Sequence, residues 1–400
     1  MPGATIDDVK VIEGSSGMAA AMFTVTLSNT TDQAVTIAYQ TADGTATTGD
    51  NDYEETSGVL TIPAKTLSAT ITVPVNGDTQ FEPFETFAVD LSSPVNATLL
   101  DAHGVGTISN DDGTPTLSLG DVTVTEGNAG ATAAVLTVSL SNATALPVKV
   151  GFRTTDGTAT LANGDYVTVD DSLTIAPSQT SAAITVLVNG DLTFETDETL
   201  AVDLANPTNA TIDDGHAVIT VTNDDTVPAI TIGNVSVAEG NGGTTAAVVA
   251  LTLDHASAQT VTVSYQTADG TATLANADYV ESHGSVQFAP KTTTAWITVL
   301  VTGDTKLEPD EGLMVDLSGA VGATIADAQG AIAIANDDTV PPMLWISDAT
   351  VTEGNSGTTI AVLTVTLSQP SGYPVSVHWS TSDGSATIAN QDYASRAAAI

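Results

Sequence analysis

Short segments in which hydrophobic and polar residues alternate run through the whole chain and predict β-strands. Phe23, Val25 and Leu27 alternate with two threonines, and a period of two places successive side chains on opposite faces of a strand. Similar segments occupy residues 6–12, 35–39, 60–62, 71–75, 87–91 and 105–108. These seven segments are separated by clusters of Gly, Asp, Asn and Pro, and no segment shows a sustained period of 3.6 residues. The pattern is typical of an all-β, immunoglobulin-like sandwich of seven strands.

The same pattern recurs along the chain every 113 or 114 residues. The string Asp-Gly-Thr-Ala-Thr begins at Asp43, Asp156 and Asp269, and the variant Asp-Gly-Ser-Ala-Thr begins at Asp383. A unit of this length can bury its own core and therefore fold as a domain. We expect three complete repeats, at residues 1–113 (repeat 1), 114–226 (repeat 2) and 227–340 (repeat 3), and the N-terminal half of a fourth at 341–400 (repeat 4).

The connections between repeats are short and contain proline, at residues 113–115, 226–228 and 339–342. Short linkers with proline favour a stiff, extended array of domains. The fourth repeat lacks counterparts of residues 71–112. We therefore expect that the natural protein continues beyond Ile400, or that a neighbouring chain supplies the missing strands.

Composition adds a strong charge imbalance to this picture. Hydrophobic residues make up 42% of the chain, which is enough for packed cores, while 48 acidic residues against 7 basic ones give a net charge of −41. Such a charge repels nucleic acid and anionic membrane surfaces and attracts cations. The chain has no cysteine, which excludes disulfides and thiolate metal sites. No apolar run approaches the roughly 18 to 20 residues of a membrane span, and the acidic N-terminus shows no secretion signal.

The acidic residues recur in connections that strand order brings to one end of each sandwich. If the chain reverses direction at every connection, the loops after the first, third, fifth and seventh strands share one end. In repeat 1 these loops contain Glu13, Asp43, Asp50, Asp52, Asp78, Glu82, Glu85, Asp111 and Asp112. This end is also where the linker leaves for the next repeat.

Carboxylates gathered in this way repel one another unless a cation neutralises them. Ca²⁺ takes six to eight oxygen ligands in flexible geometry, Mg²⁺ demands a tighter octahedron and keeps its waters, and zinc prefers His or Cys. Calcium is therefore the favoured ion. The alternative for any single acid, such as Asp32 or Asp50, is a solvated residue that caps a turn. The aspartates of the Asp-Tyr motif are open to both readings, as ligands or as turn residues: Asp52, Asp165, Asp278 and Asp392.

The recurring strings together carry a family resemblance. Repeat 2 contains TEGNAG, TVSLSN, TTDGTAT, GDY, ITVLVNGD, FETDETLAVDL and ITVTNDD in this order. The set resembles the Calx-beta domain, a family that includes the cytoplasmic Ca²⁺ sensor of sodium–calcium exchangers and modules of extracellular adhesion and matrix proteins. The resemblance covers the three complete repeats and the first half of the fourth.

The resemblance implies that Ca²⁺ binds in the loops beside the junction to the next domain. The ligands that it implies are Glu13, Asp43, Asp78, Glu82, Glu85, Asp111 and Asp112 in repeat 1; Glu126, Asp156, Asp191, Glu195, Glu198, Asp224 and Asp225 in repeat 2; and Glu239, Asp269, Asp304, Glu308, Glu311, Asp337 and Asp338 in repeat 3. One position departs from the best-known sensor, which has three consecutive aspartates. This chain has asparagine first, at Asn110, Asn223 and Asn336.

No catalytic constellation accompanies these motifs, and we do not expect an enzyme. The five histidines do not recur in all repeats, and no nucleophile elbow, phosphate loop or zinc signature is present. The leading hypothesis is a calcium-binding structural and adhesive region of a secreted or cell-surface protein, with other protein chains or a surface matrix as partners. The alternatives are a Ca²⁺-sensing regulatory module and a non-catalytic appendage of a larger enzyme.

Overall fold

The computed structural model describes residues 1–400, all of which lie in β-strands or in the loops that join them. The chain divides into two compact units, Met1–Asp191 with Thr196–Asp224, and Leu192–Glu195 with Asp225–Ile400. No segment of the chain forms a helix that is long and apolar enough to cross a membrane.

Repeat 1 is a sandwich of two sheets. Its strands are β1 Gly3–Ile6, β2 Val9–Ile12, β3 Gly17–Leu27, β4 Val35–Asp43, β5 Ser57–Ile62, β6 Ser68–Gly77, β7 Glu85–Val95, β8 Thr98–Leu99 and β9 His103–Ser109. One sheet has the order β6-β3-β1-β8, and the other has the order β2-β9-β7-β4-β5.

Repeat 2 has the same arrangement. Its strands are β10 Thr116–Leu119, β11 Val122–Thr125, β12 Gly130–Leu140, β13 Val148–Asp156, β14 Asp170–Ile175, β15 Ser181–Gly190, β16 Glu198–Thr208, β17 Thr211–Asp214 and β18 His216–Thr222. The sheet orders are β15-β12-β10-β17 and β11-β18-β16-β13-β14.

Repeat 3, in the second unit, follows the same plan again. Its strands are β19 Ala229–Ile232, β20 Val235–Ala238, β21 Gly243–Leu253, β22 Val261–Ala268, β23 His283–Phe288, β24 Thr294–Gly303, β25 Glu311–Val321, β26 Thr324–Ile325 and β27 Gln329–Ala335. The sheet orders are β24-β21-β19-β26 and β20-β27-β25-β22-β23.

The fourth segment forms two strand pairs rather than a sandwich. β28 Leu344–Ile346 pairs with β29 Val365–Leu367, and β30 His378–Ser380 pairs with β31 Ala397–Ala399. Large apolar side chains such as Ile360 and Val362 are exposed. Both residues lie in the segment between β28 and β29, and no second sheet covers them.

The all-β sandwich prediction is confirmed, with one refinement in the opening strand. The chain crosses from one sheet to the other between β1 and β2, at Asp7 and Asp8. Asp7 accepts a hydrogen bond from the Thr24 amide (2.5 Å) and Asp8 accepts one from the Val105 amide (2.8 Å). The crossing lets β1 pair with β3 and lets β2 pair in parallel with β9. The short β8 is a further strand that alternation alone did not reveal.

Each complete repeat has its own core between its sheets. In repeat 1 the rings of Phe23 and Phe87 meet edge to face at 5.8 Å, and Tyr53 stacks on Phe87 at 4.5 Å. Aromatic contacts of this kind add to the stabilisation from burial alone. Tyr53 lies in the loop between β4 and β5, so this packing ties an acidic loop to the core.

The end of β6 passes unusually close to the loop that follows β2. A Cβ atom on Gly77 would lie 2.0 Å from the Gly14 carbonyl oxygen and 2.7 Å from that of Glu13. Gly190 and Gly303 stand in the same relation to Gly127 and Gly240. Only glycine permits this approach, which sets the height of the Glu13 loop over the sheet.

We predict that Gly77→Ala destabilises repeat 1 by roughly 1–3 kcal/mol, because backbone atoms must move to admit the methyl group. Hydrogen exchange of peptides covering residues 68–77 measures this locally. Gly120→Ala is the control, because the added Cβ meets nothing within 4 Å. Equal protection of residues 68–77 in Gly77→Ala and in the unmodified chain would contradict the assignment.

Candidate metal centre

The parallel pairing of β2 with β9 builds the first group of acids in repeat 1. Ile12 lies opposite Ser109, so the residues that follow both strands come side by side. The Gly14 amide donates to Asp111 Oδ1 at 3.0 Å. Carboxylate oxygens of Glu13, Asp111 and Asp112, the first acidic cluster, all lie within 4.8 Å of one another.

A second group forms between the loop after β4 and the loop after β6. Oxygens of Asp52, Glu82 and Glu85, the second acidic cluster, also lie within 4.8 Å of one another. Asp52 is held by the Thr47 amide, which donates to its Oδ2 at 2.6 Å, and its carbonyl accepts from the Asn76 amide at 2.9 Å. The sequence-based expectation that alternate loops converge at one end is thus met by both clusters.

Burial and mutual repulsion make these carboxylates hard to ionise together. Glu13 is only 5% exposed, and its burial, followed by the charges of Glu82 and Asp78, raises its pKa to about 7. Burial, followed by the charge of Asp52, raises the pKa of Glu85 to about 8. Because Glu82 of the second cluster acts on Glu13 of the first, the two clusters share one electrostatic field.

Several carboxylate oxygens in the first acidic cluster lack any hydrogen-bond partner although they are buried. In repeat 1 these atoms are Glu13 Oε1 and Asp112 Oδ2, and in repeat 3 they are Glu239 Oε1 and Asp338 Oδ2. A buried anionic oxygen without a donor is costly unless a cation serves it. The donor set contains only oxygens, which suits a hard divalent ion and not zinc.

Repeat 3 reproduces both clusters, with one change. Glu239, Asp337 and Asp338 form the first, and Asp278, Glu308 and Glu311 form the second. Burial raises the pKa of Glu239 to about 7, and burial followed by the charge of Asp278 raises that of Glu311 to about 7. Lys306 forms an ion pair with Glu308. A protein cation therefore already neutralises part of the second cluster in repeat 3.

Repeat 2 places the predicted residues at the same points of its strands. Glu126 follows β11 and is 6% exposed. Asp224 Oδ1 accepts from the Gly127 amide at 3.1 Å, as Asp111 does from Gly14 in repeat 1. Asp191 follows β15, Glu195 lies in the loop before β16, Glu198 begins β16, and Asp225 comes after β18.

Three of the predicted ligands, one in each complete repeat, accept a hydrogen bond from the tyrosine of the Asp-Tyr motif. The structure does not bring Asp43 into either cluster; its Oδ1 accepts from the Tyr53 hydroxyl at 2.7 Å and from the Thr48 amide at 3.1 Å. The hydrogen bond from Tyr53 lowers the pKa of Asp43. Asp156 and Asp269 receive the same hydrogen bonds from Tyr166 and Tyr279. These aspartates brace the loop that holds the second cluster.

Asp52 and Asp278, which the sequence left open as ligands or turn residues and which the resemblance did not imply as ligands, belong to the second cluster. Both belong to the Asp-Tyr motif, in which the tyrosine packs into the core and the aspartate faces the second cluster. The recurrence of the Asp-Tyr motif in every repeat was the sequence signal that could have identified these aspartates as candidate ligands. Asp78 lies outside the clusters, where its Oδ1 accepts from the Gln80 amide at 2.7 Å, but its charge contributes to the raised pKa of Glu13. Asp304 bonds the Lys306 amide in the same way.

In repeats 1 and 3 the asparagine that precedes the aspartate pair links the two acidic clusters. Asn110 Oδ1 accepts from the Glu82 amide at 3.3 Å, while its Nδ2 donates to the Asp112 carbonyl at 2.9 Å. Asn336 makes the same two contacts with Glu308 and Asp338. An aspartate could accept the first hydrogen bond but could not donate the second. Asparagine therefore joins the two clusters at the position where the best-known sensor has an aspartate.

All four repeats match one known domain family. The Calx-beta domain matches residues 7–113, 109–227, 222–339 and 337–400. The chain belongs to the Calx-beta domain family. The two acidic clusters of repeats 1 and 3 thus lie in the loops of Calx-beta repeats.

The relatives of these Calx-beta repeats include a much larger protein. The chain is 25% identical over 358 residues to "Extracellular matrix organizing protein FRAS1" of Mus musculus and 24% identical over 370 residues to that of Homo sapiens, covering 84% and 87% of this chain. The matched part spans 9% of the length of these curated relatives. Among solved structures, the "calcium binding domain CBD12 of CALX1.1" is 20% identical, with 52% of this chain and 82% of that chain covered and a TM-score of 0.26.

We predict that, without added metal, the stability of the Calx-beta repeats falls as pH rises from about 5 to about 8. Glu13, Glu85, Glu239 and Glu311 have folded pKa values of about 7 to 8, above the 4.5 of an ordinary glutamate. Between these values the folded state holds more protons than the unfolded state, so the free energy of unfolding decreases with pH. Thermal unfolding in EDTA across this range measures the effect.

The Glu13→Gln and Glu239→Gln double variant should reduce this slope, because an amide does not titrate. Asp101→Asn with Asp327→Asn is the matched control, since these acids lie outside both clusters and accept backbone hydrogen bonds that an asparagine oxygen can also accept. A melting temperature that rises with pH, or a slope that the glutamine variant leaves unchanged, would contradict the prediction.

Proposed function

We propose that the chain is a calcium-binding structural and adhesive region of a secreted or cell-surface protein, in which Ca²⁺ stiffens the junctions between repeats. The repeats are bounded at residues 1–113, 114–226, 227–340 and 341–400. The relatives described as extracellular matrix organizing proteins support the extracellular setting. In this role the chain acts without catalysis, and its partners are Ca²⁺ and other protein chains of the surface or matrix.

A contact between repeats 1 and 2 carries the proposal. The loop after β6 pairs with the loop after β12 through a parallel bridge between Phe81 and Thr144. The Phe81 amide donates to the Ala143 carbonyl at 3.0 Å, and the Ala145 amide donates to the Phe81 carbonyl at 3.1 Å. Phe81 immediately precedes Glu82, so a ligand of the second acidic cluster is adjacent to the residue that holds the next repeat.

Side chains extend this contact into a network. Asn142 Nδ2 donates to the carbonyl of Gly113 in the linker at 3.1 Å. Ser178 Oγ donates to Gln80 Oε1 at 3.1 Å. Thr144 is 1% exposed. Within the second unit, the Gly372 amide likewise donates to the Leu307 carbonyl at 3.1 Å, directly before Glu308. The arrangement at the end of repeat 1 therefore recurs at the end of repeat 3.

The physical link between ion and junction is the loop after β6. Repulsion among Asp52, Glu82 and Glu85 opposes the position of this loop. A bound cation would replace the repulsion between these carboxylates by attraction to the ion. It would thereby fix the loop after β6, which includes Phe81. The residues that would hold the ion in repeat 1 are those of the two clusters, with equivalent sets in repeats 2 and 3. The ion supplies charge neutralisation and oxygen coordination, for which Ca²⁺ is better suited than Mg²⁺.

We predict that Ca²⁺ raises the melting temperature through preferential binding to the folded state. At a free Ca²⁺ concentration of about 100 times Kd, each site contributes about 2.7 kcal/mol. The shift should persist in about 0.5 M NaCl, because coordination is screened less than diffuse charge. Differential scanning calorimetry with Ca²⁺, with Mg²⁺ and with EDTA measures it.

Identical unfolding curves in Ca²⁺ and EDTA would refute calcium binding. Titration calorimetry of the same samples separates the structural role from the sensor role. A Kd of about 10⁻⁴–10⁻³ M is typical of extracellular modules, and a Kd of about 10⁻⁷–10⁻⁵ M is typical of sensors.

We predict that Asp111→Asn with Asp112→Asn loosens the junction between repeats 1 and 2 in the presence of Ca²⁺ while both sandwiches stay folded. The chain has no cysteine, so Thr61→Cys and Thr174→Cys provide two exclusive sites for spin labels. Both positions are exposed. Double electron–electron resonance between the two spin labels should show a narrow distance distribution for the labelled parent in Ca²⁺ and a broad one for the double asparagine variant.

Asp32→Asn with Asp101→Asn removes the same charge from loops outside the clusters and serves as the control. Its distance distribution should stay narrow in Ca²⁺. A distribution that is equally narrow in EDTA, in Ca²⁺ and in the Asp111 and Asp112 variant would show that the junction is rigid without metal.

A further inference from the structure

We propose that the free edge of β24 in repeat 3 binds a second copy of this chain by antiparallel strand pairing centred on Trp296. The proposal concerns a different surface from the acidic clusters and is independent of calcium binding.

β24 lies at the outer edge of its sheet, with β21 on one side. The C-terminal part of this edge is already covered, since the Val280 amide donates to the Leu300 carbonyl at 2.9 Å and the Thr302 amide donates to the Asp278 carbonyl at 2.9 Å. In an antiparallel ladder the N–H and C=O of alternate residues point to the same side. The register with β21 runs without a shift. The backbone groups of Thr294, Trp296 and Thr298 therefore point away from the sheet, and none of them takes part in a hydrogen bond of the structure.

The side chains of this edge are unusually apolar for an exposed strand. Trp296 is 61% exposed, Val248 beside it on β21 is 48% exposed, and Leu300 is 39% exposed. No charged residue occurs from Thr294 to Gly303. Natural sheets usually protect long edges with charges, prolines or bulges, and an edge without them is open to pairing with another strand.

The other repeats provide a comparison inside the same chain. Thr70 in β6 and Ala183 in β15 occupy the position of Trp296, at spacings of 113 residues. β6 also contains Pro74, which lacks an N–H group. Since threonine and alanine occupy the equivalent position in the other two sandwiches, the fold does not require tryptophan there. A large aromatic residue at this exposed position points to binding rather than to folding.

The occupant that fits is the same segment of another copy. Antiparallel pairing centred on Trp296 places Trp296 of one copy opposite Trp296 of the other, and Thr294 opposite Thr298 in both directions. Three outward-facing residues on each side then exchange about six backbone hydrogen bonds. Two chains of net charge −41 repel each other at most surfaces. An uncharged edge is where two such chains can approach at least cost, whereas a basic partner would prefer the acidic loops.

Sedimentation velocity of the full chain over a concentration series tests the proposal. We expect a monomer–dimer equilibrium that is stronger in about 0.3 M than in about 0.02 M NaCl, because salt screens the repulsion. Trp296→Thr and Trp296→Ala copy repeats 1 and 2, and each should weaken dimerisation roughly tenfold or more. Thr298→Pro should do the same, since it removes an outward N–H and leaves the ladder with β21 intact.

Val248→Lys is the matched control, because Val248 lies opposite Thr298 in the register but on an inner strand of the sheet. It adds a charge to the face and leaves the edge free, so dimerisation should persist. Thermal unfolding of every variant checks that the fold is kept. A monomeric parent chain, or a dimer that Trp296→Thr leaves unchanged, would overturn the proposal. So would loss of the dimer in Val248→Lys but not in Thr298→Pro, which would indicate face-to-face stacking.

Discussion

Repulsion between carboxylates that are partly removed from water, and that have almost no basic residues near them, is the constraint on which the rest of each repeat depends. Glu13 and Glu239 are almost fully buried, and the charges that act on them are those of other acids. A fold that gathers such residues must supply stability elsewhere, from the apolar core and the strand ladders. It must also hold the acids on backbone rigid enough to resist their separation.

The strand arrangement meets that requirement at specific points. The crossing of the chain from β1 to β2 creates the parallel pairing with β9, which fixes Glu13 beside Asp111. Gly77 lets the loop carrying Glu13 lie against the end of β6. Tyr53 stacks on Phe87 and hydrogen-bonds Asp43, and this fixes the loop that presents Asp52. Core packing and acidic site are therefore two consequences of the same contacts, and a change in either affects the other.

The main strand segments and the convergence of alternate loops were predictable from sequence, because they follow from a period of two and from reversal at each connection. The individual ligand positions were less predictable. Asp43 and Asp52 are both recurring loop aspartates, and only the tyrosine hydroxyl that engages Asp43 distinguishes them. Asn110 stands in sequence only as a departure from the three aspartates of the best-known sensor, whereas its two hydrogen bonds join the clusters. Such contacts depend on loop conformation, which hydrophobic periodicity does not encode.

Repetition also shows which features the fold needs and which belong to single repeats. The buried glutamate, the bracing tyrosine and the close-approach glycine occur in all three complete repeats, so they follow from the shared architecture. Lys306 and Trp296 occur only in repeat 3 among the three complete repeats. The position of Lys306 is occupied by Gln80 in repeat 1 and by Thr193 in repeat 2. The position of Trp296 is occupied by Thr70 in repeat 1 and by Ala183 in repeat 2. Lys306 brings a positive charge into the second cluster, and Trp296 brings an aromatic ring to an uncharged edge. Since neither is required by the sandwich, repeat 3 differs from its neighbours both in the charge available to a cation and in the surface it offers to another chain.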